Sequence, residues 1–372
     1  MVRAREKDAC PGALQTHRAA DGDLSRIRLP GGAITPPQLE VVAQAAIDLA
    51  ASTLELTSRG NLQIRGVRDT AAVADLLAGA GLLPSATHER VRNIVASPLS
   101  GRHGGLCDVR ALVADLDAAV QRDPVLAELP GRFLFGFDDG RGDISGLGAD
   151  AGVHALDDST AALLLAGRDT GVRVALSSAV DKLLAVARRF VDVRGKHWRV
   201  GELDDPAILL DDRAPTERPG ETWQARTRPP VGWIEQTDGR IALGAAVPLG
   251  VLDAQVARYL AAVEAPLAVT PWRSVLMFDL DEGVADVALR VLAPLGLIFD
   301  EDSAWLSVSA CTGSPGCAHS AADVRADAGA AVDPSIAVHR HFVGCDRACG
   351  SPADAQVLVA TGDGYRSREA HP

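Results

Sequence analysis

The chain has 372 residues, 47% of them hydrophobic, so it can bury a large core and is predicted to fold into two or three domains. Its net charge of −12 repels nucleic acid phosphates, and no run of Lys and Arg offsets that charge, which argues against a nucleic-acid partner. The first thirty residues lack the apolar segment of a signal peptide, and no stretch approaches the roughly 20 apolar residues of a membrane span, so we expect a cytoplasmic protein with no membrane partner.

Residues 24–67 have the pattern of a strand, a glycine turn, a helix and two further strands joined by a tight turn. Thr35 as N-cap, Pro36 at the first helical position and Gln38 three residues after the cap predict where the helix begins. This helix carries one apolar face, formed by Leu39, Val42, Ala43, Ala46, Ile47 and Ala50. The order of elements is that of an α+β half-domain.

Two of these strands carry polar side chains on one face. Period-2 alternation places Arg26 and Arg28 together, opposite two apolar residues. The same alternation aligns Asn61, Gln63 and Arg65 in the later strand. Guanidinium and amide donors gathered in this way suit a ligand with several carboxylates, which arginine binds in a bidentate manner. The alternative is the solvated polar face of a half-buried antiparallel sheet.

The region from 86 to 200 is predicted to be a mixed α+β domain with an amphipathic helix over residues 180–191. Near its start, Arg92 and Asn93 add further donors, or form an ordinary pair at a strand end. Residues 146–152 miss the spacing of a dinucleotide-binding glycine loop by one position, so reducing equivalents are expected from outside the chain. Residues 201–230 have the composition of a linker.

Residues 240–280 repeat the pattern of residues 24–67. The segment 270–276, which includes Arg273, is the counterpart of the segment 57–63, which includes Arg59. A helix in this second copy is predicted to have one apolar face, formed by Leu252, Val256, Tyr259, Leu260 and Val263. The repeat predicts two half-domains related by a pseudo-twofold axis.

Four of the six cysteines are concentrated near the end of the chain, in a C-x5-C and a C-x3-C pair. Zinc sites favour C-x2-C pairs on tight turns, whereas the wider gaps here favour the larger thiolate cage of one [4Fe-4S] cluster. A zinc site and unliganded thiols are the alternatives. The predicted metal ligands are Cys311, Cys317, Cys345 and Cys349, and Cys10 and Cys107 are predicted to be ordinary thiols.

His339 and His341 lie two residues apart on a predicted strand just before Cys345. Their side chains are expected to face the same way, where they could bind iron or donate protons. Ordinary strand histidines are the alternative.

Taken together, the repeat, the arginine-bearing strands and the cysteines resemble the sulfite and nitrite reductase superfamily over nearly the whole chain. The motifs that carry the resemblance are residues 26–32, residues 56–67, Arg92-Asn93 and the two cysteine pairs. Within the superfamily the likeness is greatest to the precorrin-3B synthases of cobalamin biosynthesis. It is seen at residues 10–12, 93–101, 138–143 and 270–273.

The resemblance implies an α+β fold with a pseudo-twofold pair of ferredoxin-like half-domains and two reductase-type domains. The expected boundaries are 1–85 for the first half-domain, 86–200 for the first reductase-type domain, 201–230 for the linker, 231–295 for the second half-domain and 296–372 for the cluster-binding domain. Arg28, Arg59 and Arg92 match arginines that line the tetrapyrrole pocket of the reductases and, with His341, are the catalytic candidates. The expected substrate-binding residues are Arg26, Arg28, Arg59, Asn61, Gln63, Arg65, Arg92, Asn93 and Arg273.

One departure separates the branches of the superfamily. The reductases have a Lys-x-Lys in a Pro-Arg-Lys-Phe-Lys context, which supplies protons to the anion being reduced, and this chain has Pro-Gly-Arg-Phe-Leu over residues 130–134. Without those lysines, multi-proton reduction of sulfite or nitrite loses its acid. A family that works on a tetrapyrrole as its substrate does not need them.

The reaction implied by the resemblance is the O2-dependent hydroxylation and lactone formation that convert precorrin-3A to precorrin-3B. Ground-state O2 reacts slowly with organic molecules, so a one-electron donor metal is expected, here the cluster and a mononuclear non-haem iron. An external donor supplied by NAD(P)H would provide the electrons. Two alternatives stay open: a siroheme-dependent sulfite or nitrite reductase, and a non-catalytic protein that carries a cluster or a tetrapyrrole.

Overall fold

The chain divides into two compact units in the computed structural model, which describes residues 10–210, 215–218, 220, 223, 228–352 and 355–368. What we call the middle unit holds residues up to 12, 28–33 and 83–226. The flanking unit holds residues 13–27, 34–82 and those from 227 onwards. The five domain boundaries expected from the sequence stay predictions.

The described residues form nineteen strands and seven helices, numbered in chain order. The strands are β1 (His17–Ala19), β2 (Gly22–Ile27), β3 (Ala33–Ile34), β4 (Thr53–Leu56), β5 (Leu62–Val67), β6 (Ile94–Ala96), β7 (Phe135–Asp138), β8 (Ala151–Ala155), β9 (Thr160–Leu165), β10 (Arg168–Ala175), β11 (Gly232–Glu235), β12 (Ile241–Ala246), β13 (Val251–Asp253), β14 (Leu267–Val269), β15 (Ser274–Leu280), β16 (Val308–Ala310), β17 (Arg340–Val343), β18 (Gln356–Thr361) and β19 (Gly364–Ser367). The helices are α1 (Pro36–Leu49), α2 (Thr70–Gly79), α3 (Arg110–Arg122), α4 (Ala179–Val193), α5 (Ala254–Ala261), α6 (Glu282–Leu292) and α7 (Val324–Ala330).

The predicted internal repeat is present in the order of the elements. The first copy runs β2, β3, α1, β4, β5, α2, and the second runs β12, β13, α5, β14, β15, α6. Each copy contributes to a five-stranded sheet, with the orders β1-β2-β5-β4-β13 and β11-β12-β15-β14-β3. Each sheet therefore takes one edge strand from the other copy. This exchange confirms the α+β fold built from paired ferredoxin-like half-domains.

Two helix starts show how local sequence sets the elements. The capping box predicted at Thr35 is present: its hydroxyl accepts from the Gln38 amide at 3.4 Å, and the Gln38 side chain accepts from the Thr35 amide at 3.0 Å. The second helix was predicted to include Leu252, but it begins after Asp253, whose carboxylate accepts from the amides of residues 255 and 256. Leu252 belongs to β13, and Tyr259 is 44% exposed rather than on the buried face.

The middle unit is built on one sheet with the strand order β10-β9-β8-β7-β6. The predicted amphipathic helix is confirmed as α4, whose apolar face is buried. At the centre of the core, the Phe133 ring lies 4.9 Å from the Phe135 ring and 5.2 Å from the Phe190 ring. All three side chains are fully buried.

The last sheet, in the flanking unit, has the order β16-β17-β18-β19. Its first three strands are parallel and the fourth is antiparallel. Helix α7 packs against β16 and β17. No helix among the described residues combines the length and apolar character needed to cross a bilayer.

Candidate functional site

The four clustered cysteines lie in the loops that follow two strands of the last sheet. Cys311 follows β16 directly, and Cys345 follows β17 after one intervening residue. Because β16 and β17 are parallel neighbours, the loops that follow them leave the sheet at the same end of the strands. The Cys311 amide donates to the Phe342 carbonyl at 2.9 Å, and the Gly344 amide donates to Cys311 Sγ at 3.3 Å. The sheet thus brings the two cysteine pairs together.

The spacing and chemistry of the four thiols fit an iron–sulfur cluster better than zinc. Burial raises the pKa of the Cys349 thiol, and the charges of Cys311, Cys345 and Cys317 raise that pKa further. The four sulfurs are therefore close enough for their charges to interact. Tetrahedral zinc with Zn–S bonds of about 2.3 Å needs sulfurs about 3.8 Å apart. No three of these sulfurs, all in the described part of the chain, lie within 4.8 Å of one another. The wider all-thiolate set matches the donor set of a cubane.

Gly344 is required at its position between the sheet and the second cysteine pair. A Cβ placed there would lie 2.6 Å from the Ser320 Cβ and 2.9 Å from the Ser320 Cα, so the backbone would have to shift. The close approach of this loop to the first one is what lets the Gly344 amide reach Cys311 Sγ. Amide donors to cluster sulfurs are one of the means by which proteins tune cluster potentials.

The two predicted histidines face the same hydroxyl. His339 Nε2 and His341 Nδ1 each lie 2.7 Å from Ser309 Oγ. His341 Nε2 donates to the Cys349 carbonyl at 3.1 Å, because a carbonyl oxygen only accepts. In a neutral ring, Nδ1 then accepts the Ser309 hydroxyl proton.

These contacts engage both ring nitrogens of His341. Burial, followed by the charge of Arg273, lowers the pKa of His341 to about 3, although its bond to the Cys349 carbonyl acts in the opposite direction. A ring with that pKa is neutral at physiological pH, and it holds the loop that carries Cys349. Its proposed catalytic role stays a prediction.

Arg65 of β5 reaches the first cysteine loop. Its Nε and Nη2 atoms donate to the two carboxylate oxygens of Asp21, both at 2.9 Å. Nη2 also donates to the Gly316 carbonyl at 2.7 Å, next to Cys317. The side chain is 10% exposed. The structure therefore places this predicted substrate-binding arginine against the loop that carries Cys317.

The neighbouring donors are organised around a buried carboxylate. Arg26 donates through Nε and Nη2 to Gln63 Oε1, at 3.1 and 2.8 Å. Gln63 Nε2 donates to Glu55, and Arg325 Nη2 donates to the other oxygen of Glu55. Asn61, Gln63 and Arg65 are each less than a tenth exposed. These three side chains are buried rather than solvated, which contradicts the alternative of a solvated sheet face at their positions.

The turn that holds Arg59 recurs in the second copy. The Thr57 amide donates to the Asn61 carbonyl at 2.9 Å, and the Thr57 hydroxyl accepts from the Arg59 amide at 3.3 Å. In the second copy, the Thr270 amide donates to the Ser274 carbonyl at 2.9 Å, and the Thr270 hydroxyl accepts from the Trp272 amide. The match predicted between 57–63 and 270–276 thus extends to individual hydrogen bonds.

Arg273 occupies the position of Gly60 in this turn. Both residues have left-handed backbone angles, with φ of 58° for Arg273 and 63° for Gly60. Arg273 Nη2 donates to the Gly350 carbonyl at 3.2 Å. Burial and the charge of Arg325 lower the pKa of Arg273, while Glu55 acts in the opposite direction.

Arg28, Arg92 and Asn93 lie in the middle unit. Strand β2 ends at residue 27, so Arg28 is not on the strand as predicted, and its Nη2 donates to the Pro11 carbonyl at 3.1 Å. Arg92 forms a bidentate ion pair with Asp117, at 2.7 and 2.8 Å. Asn93 donates to the Gly131 carbonyl at 2.9 Å. The substrate-binding roles of these residues stay predictions.

The segment that replaces the lysine pair of the reductases has an exposed arginine followed by two buried apolar residues. The Phe133 and Leu134 side chains are buried. The Arg132 guanidinium lies 5.0 Å from the ring centre of Trp198. The Leu134 amide donates to a carboxylate oxygen of Asp150 at 2.9 Å. At position 134, where the reductases have their second lysine, a buried leucine is part of the core.

A separate acidic cluster lies in the loop after β7. Asp138, Asp139 and Asp143 have carboxylate oxygens within 4.8 Å of one another, the one such group in the described part of the chain. The two Asp138 oxygens accept four backbone amides at 2.8–3.0 Å. Asp139 pairs with both ends of the Arg141 fork, at 2.8 and 2.7 Å. These partners give the first two carboxylates a structural role in shaping the loop.

Asp143 predicts a pH dependence of stability. Burial and the charge of Asp138 raise its pKa to about 6, against the bond from Ser97 Oγ at 2.6 Å. A carboxyl with a raised folded-state pKa binds more protons folded than unfolded between about pH 4 and 6, so its contribution to stability falls as pH rises through that window. Asp143→Asn should remove this loss. We expect the melting temperature of Asp143→Asn minus that of the wild type to be larger at pH 7.5 than at pH 4.5. The same difference at both pH values would contradict the prediction.

Several residues of the site were not identified from the sequence. Glu55 alternates with leucines on β4, so its placement on the polar face was readable. Asp21, Asp117 and Arg325 reach their partners across 25 or more residues of chain, and no local pattern marks them.

Comparison with known proteins finds similarity to one family model and to several proteins. Residues 17–79 match the nitrite/sulfite reductase ferredoxin-like half domain. A solved structure, the NirA protein of Mycobacterium tuberculosis, superposes with a TM-score of 0.73 over 88% of this chain and 69% of its own length, at 19% identity. That likeness shows the fold.

Two curated proteins are similar in sequence. A precorrin-3B synthase from Sinorhizobium is 27% identical over 98% of this chain and 83% of its own length. A ferredoxin–nitrite reductase from Synechococcus elongatus is 32% identical over 36% of this chain and 26% of its own length. Together the matches confirm the resemblance to the sulfite and nitrite reductase superfamily that the motifs predicted.

Proposed function

We propose, from this relationship to the sulfite and nitrite reductase superfamily, that the chain is an oxidoreductase that converts precorrin-3A to precorrin-3B. In that reaction one atom of O2 enters the macrocycle as a hydroxyl group and a ring acetate closes a lactone. The other oxygen atom leaves as water, using two electrons from an external NAD(P)H-dependent donor. A cytoplasmic location belongs to the same proposal, because cluster thiolates persist in a reducing compartment.

The observation that carries the choice of substrate is the segment at residues 132–134, which has an arginine and a buried leucine where the reductases have two lysines. A siroheme reductase needs an acid there to deliver protons to a small anion. Here Leu134 is buried, and the Arg132 guanidinium, which does not give up its proton in proteins, lies over Trp198. The similarity to a precorrin-3B synthase along nearly the whole chain supports the same choice.

The chain's own residues have distinct tasks in this proposal. Cys311, Cys317, Cys345 and Cys349 would hold a [4Fe-4S] cluster, which supplies single electrons when bound. The half-buried Arg59 is placed in a rigid turn, from which its guanidinium can bind a carboxylate of the macrocycle. No described residues are assigned to a mononuclear iron.

The experiment that tests the proposal uses the cluster-loaded protein, precorrin-3A, a reductant and 18O2. We expect a product that has gained one labelled oxygen atom, detected by mass spectrometry. Product that forms without O2, or without the label, would overturn the monooxygenase reaction.

Arg59 offers a prediction about binding. Arg59→Ala should raise the KM for precorrin-3A at least about tenfold, since a charge-assisted bond to a carboxylate contributes roughly 1.5–3 kcal/mol. Ser58→Ala, at an exposed position in the same turn, is the matched control and should leave KM unchanged. Steady-state kinetics with the two variants checks this, and equal KM values for both would exclude the role of Arg59.

A siroheme-dependent reductase is the second candidate, favoured by the NirA fold and the nitrite reductase match. The visible spectrum of anaerobically purified protein separates the two. A broad band that bleaches with dithionite, without sharp macrocycle bands, supports the synthase. Siroheme bands together with reduction of nitrite or sulfite would support the reductase. A cluster spectrum without turnover of any of these substrates would leave a carrier protein.

A further inference from the structure

We infer that Arg65 and Arg273 are positioning residues for the cluster: each anchors one ligand loop through a backbone carbonyl, and their charges raise the reduction potential. The inference rests on the ligand set of the proposed function. It concerns two arginines that the sequence assigned to substrate binding and that the structure places against the cysteine loops.

Arg65 holds the first loop at the peptide bond of a ligand. The Gly316 carbonyl, which accepts from Arg65 Nη2 at 2.7 Å, belongs to the same planar peptide unit as the Cys317 amide. Fixing that oxygen fixes the backbone of Cys317. Asp21 fixes the guanidinium in turn, through two bonds of 2.9 Å. A Cβ on Gly316 would lie 3.0 Å from the Asp21 carboxylate, which shows how closely the loop approaches this ion pair.

Arg273 holds the second loop just after a ligand. Its Nη2 donates to the Gly350 carbonyl at 3.2 Å, and Gly350 follows Cys349. Arg273 has a left-handed backbone, which is strained for a residue other than glycine. The first copy has Gly60 at this position, so the second copy accepts that strain where the side chain reaches the loop.

The two anchors come from different copies of the repeat. Arg65 is on β5 of the first copy, and Arg273 precedes β15 of the second. Each ferredoxin-like copy is therefore tied to one cysteine loop within the flanking unit. This arrangement sets the position of the cluster relative to both copies.

The charges predict the direction of an effect on the cluster. One-electron reduction adds negative charge, so a fixed positive charge nearby favours the reduced state and raises the potential. Removing Arg65 or Arg273 should lower the potential. Replacing Asp21 by Asn should raise it, since a negative charge is lost while the bond from Arg65 to Gly316 can persist. A purely structural role would not give shifts of opposite sign for the two partners of one ion pair.

The test measures the midpoint potential by EPR-monitored titration of cluster-loaded protein. We expect Arg65→Met and Arg273→Met to lower the ratio of reduced to oxidised cluster at a given potential at least tenfold, about 59 mV for one electron. Asp21→Asn should shift the potential upwards. Arg18→Met is the control, because Arg18 is 81% exposed, pairs with Asp23 and lies on β1 of the same sheet.

Cluster loss to an iron chelator gives the positional readout. We expect Arg65→Met and Arg273→Met to lose iron at least tenfold faster than wild type, and Arg65→Lys and Arg273→Lys to recover part of the difference. If Arg65→Met does not take up a cluster, the upward shift of Asp21→Asn decides.

Unchanged potentials, or shifts of the same sign in Arg65→Met and Asp21→Asn, would overturn the inference. Such a result in protein that still oxidises precorrin-3A leaves the proposed function intact. If the wild-type protein takes up no iron and sulfide, the ligand assignment and this inference fail together.

Discussion

Cys311→Ser is expected to lose nearly all bound iron and sulfide, along with the visible band that dithionite bleaches. Cys311 leaves the sheet beside Cys345 and accepts the Gly344 amide, so its sulfur is central to the site. A hydroxyl is a poor ligand for the soft iron of a cluster, and three thiolates hold a cubane weakly. Iron and sulfide analysis after anaerobic reconstitution measures the effect.

Cys107→Ser is the matched control for this prediction. Cys107 lies in the middle unit, where burial and the charges of Asp139 and Asp108 raise its pKa to about 11, so the thiol stays protonated. We expect full iron and sulfide content in this variant. Unchanged content in Cys311→Ser, or a loss in Cys107→Ser as large as that in Cys311→Ser, would refute the ligand assignment.

Phe133→Ala is expected to lower the free energy of unfolding of the middle unit by about 3–5 kcal/mol. The side chain is fully buried between the rings of Phe135 and Phe190. Its removal leaves a cavity and deletes two ring contacts, each worth roughly 0.5–1.5 kcal/mol beyond burial. Urea unfolding followed by circular dichroism measures the shift in the midpoint of the affected transition.

Two variants bracket that expectation. Phe133→Leu refills most of the volume and should cost less than half as much as Phe133→Ala. Val125→Ala, at a site 42% exposed in the same unit, should change stability by no more than about 0.5 kcal/mol. An effect of Phe133→Ala as small as that of Val125→Ala would mean that the aromatic cluster does not support the core.

Cys311→Ser and Phe133→Ala together separate the loss of the proposed cofactor from the loss of stability. The cysteine variant removes the proposed cofactor from two loops, the first held through a carbonyl by Arg65 and the second by Arg273 and His341. The Phe133→Ala variant acts on the core of the middle unit, at the residue between the two positions where the reductases have lysines. Activity lost in the first with an unchanged melting profile for the middle unit would assign the loss to the cluster.

Much of the fold was readable from the sequence because the signals are local. The capping box at Thr35 fixes a helix start through bonds that span three residues. The repeat was readable since both copies carry the same order of turns and alternating strands, down to the hydrogen bonds at Thr57 and Thr270. The two cysteine pairs could be recognised as candidate metal ligands because their spacing is a property of the sequence.

What the sequence by itself determined is where the candidate residues stand along the strands and loops; what only the tertiary structure decided is what each of them contacts. Alternation put Arg26, Gln63 and Arg65 on one face, but it could not show that the carboxylates of Glu55 and Asp21 pair with these side chains. Long-range partners depend on how strands are ordered in a sheet, and an antiparallel pairing leaves no trace in the local pattern. For the same physical reason, the sequence marked Arg273 as a binding residue, and only the packing of the second copy against the cysteine loop placed its guanidinium on the carbonyl of Gly350.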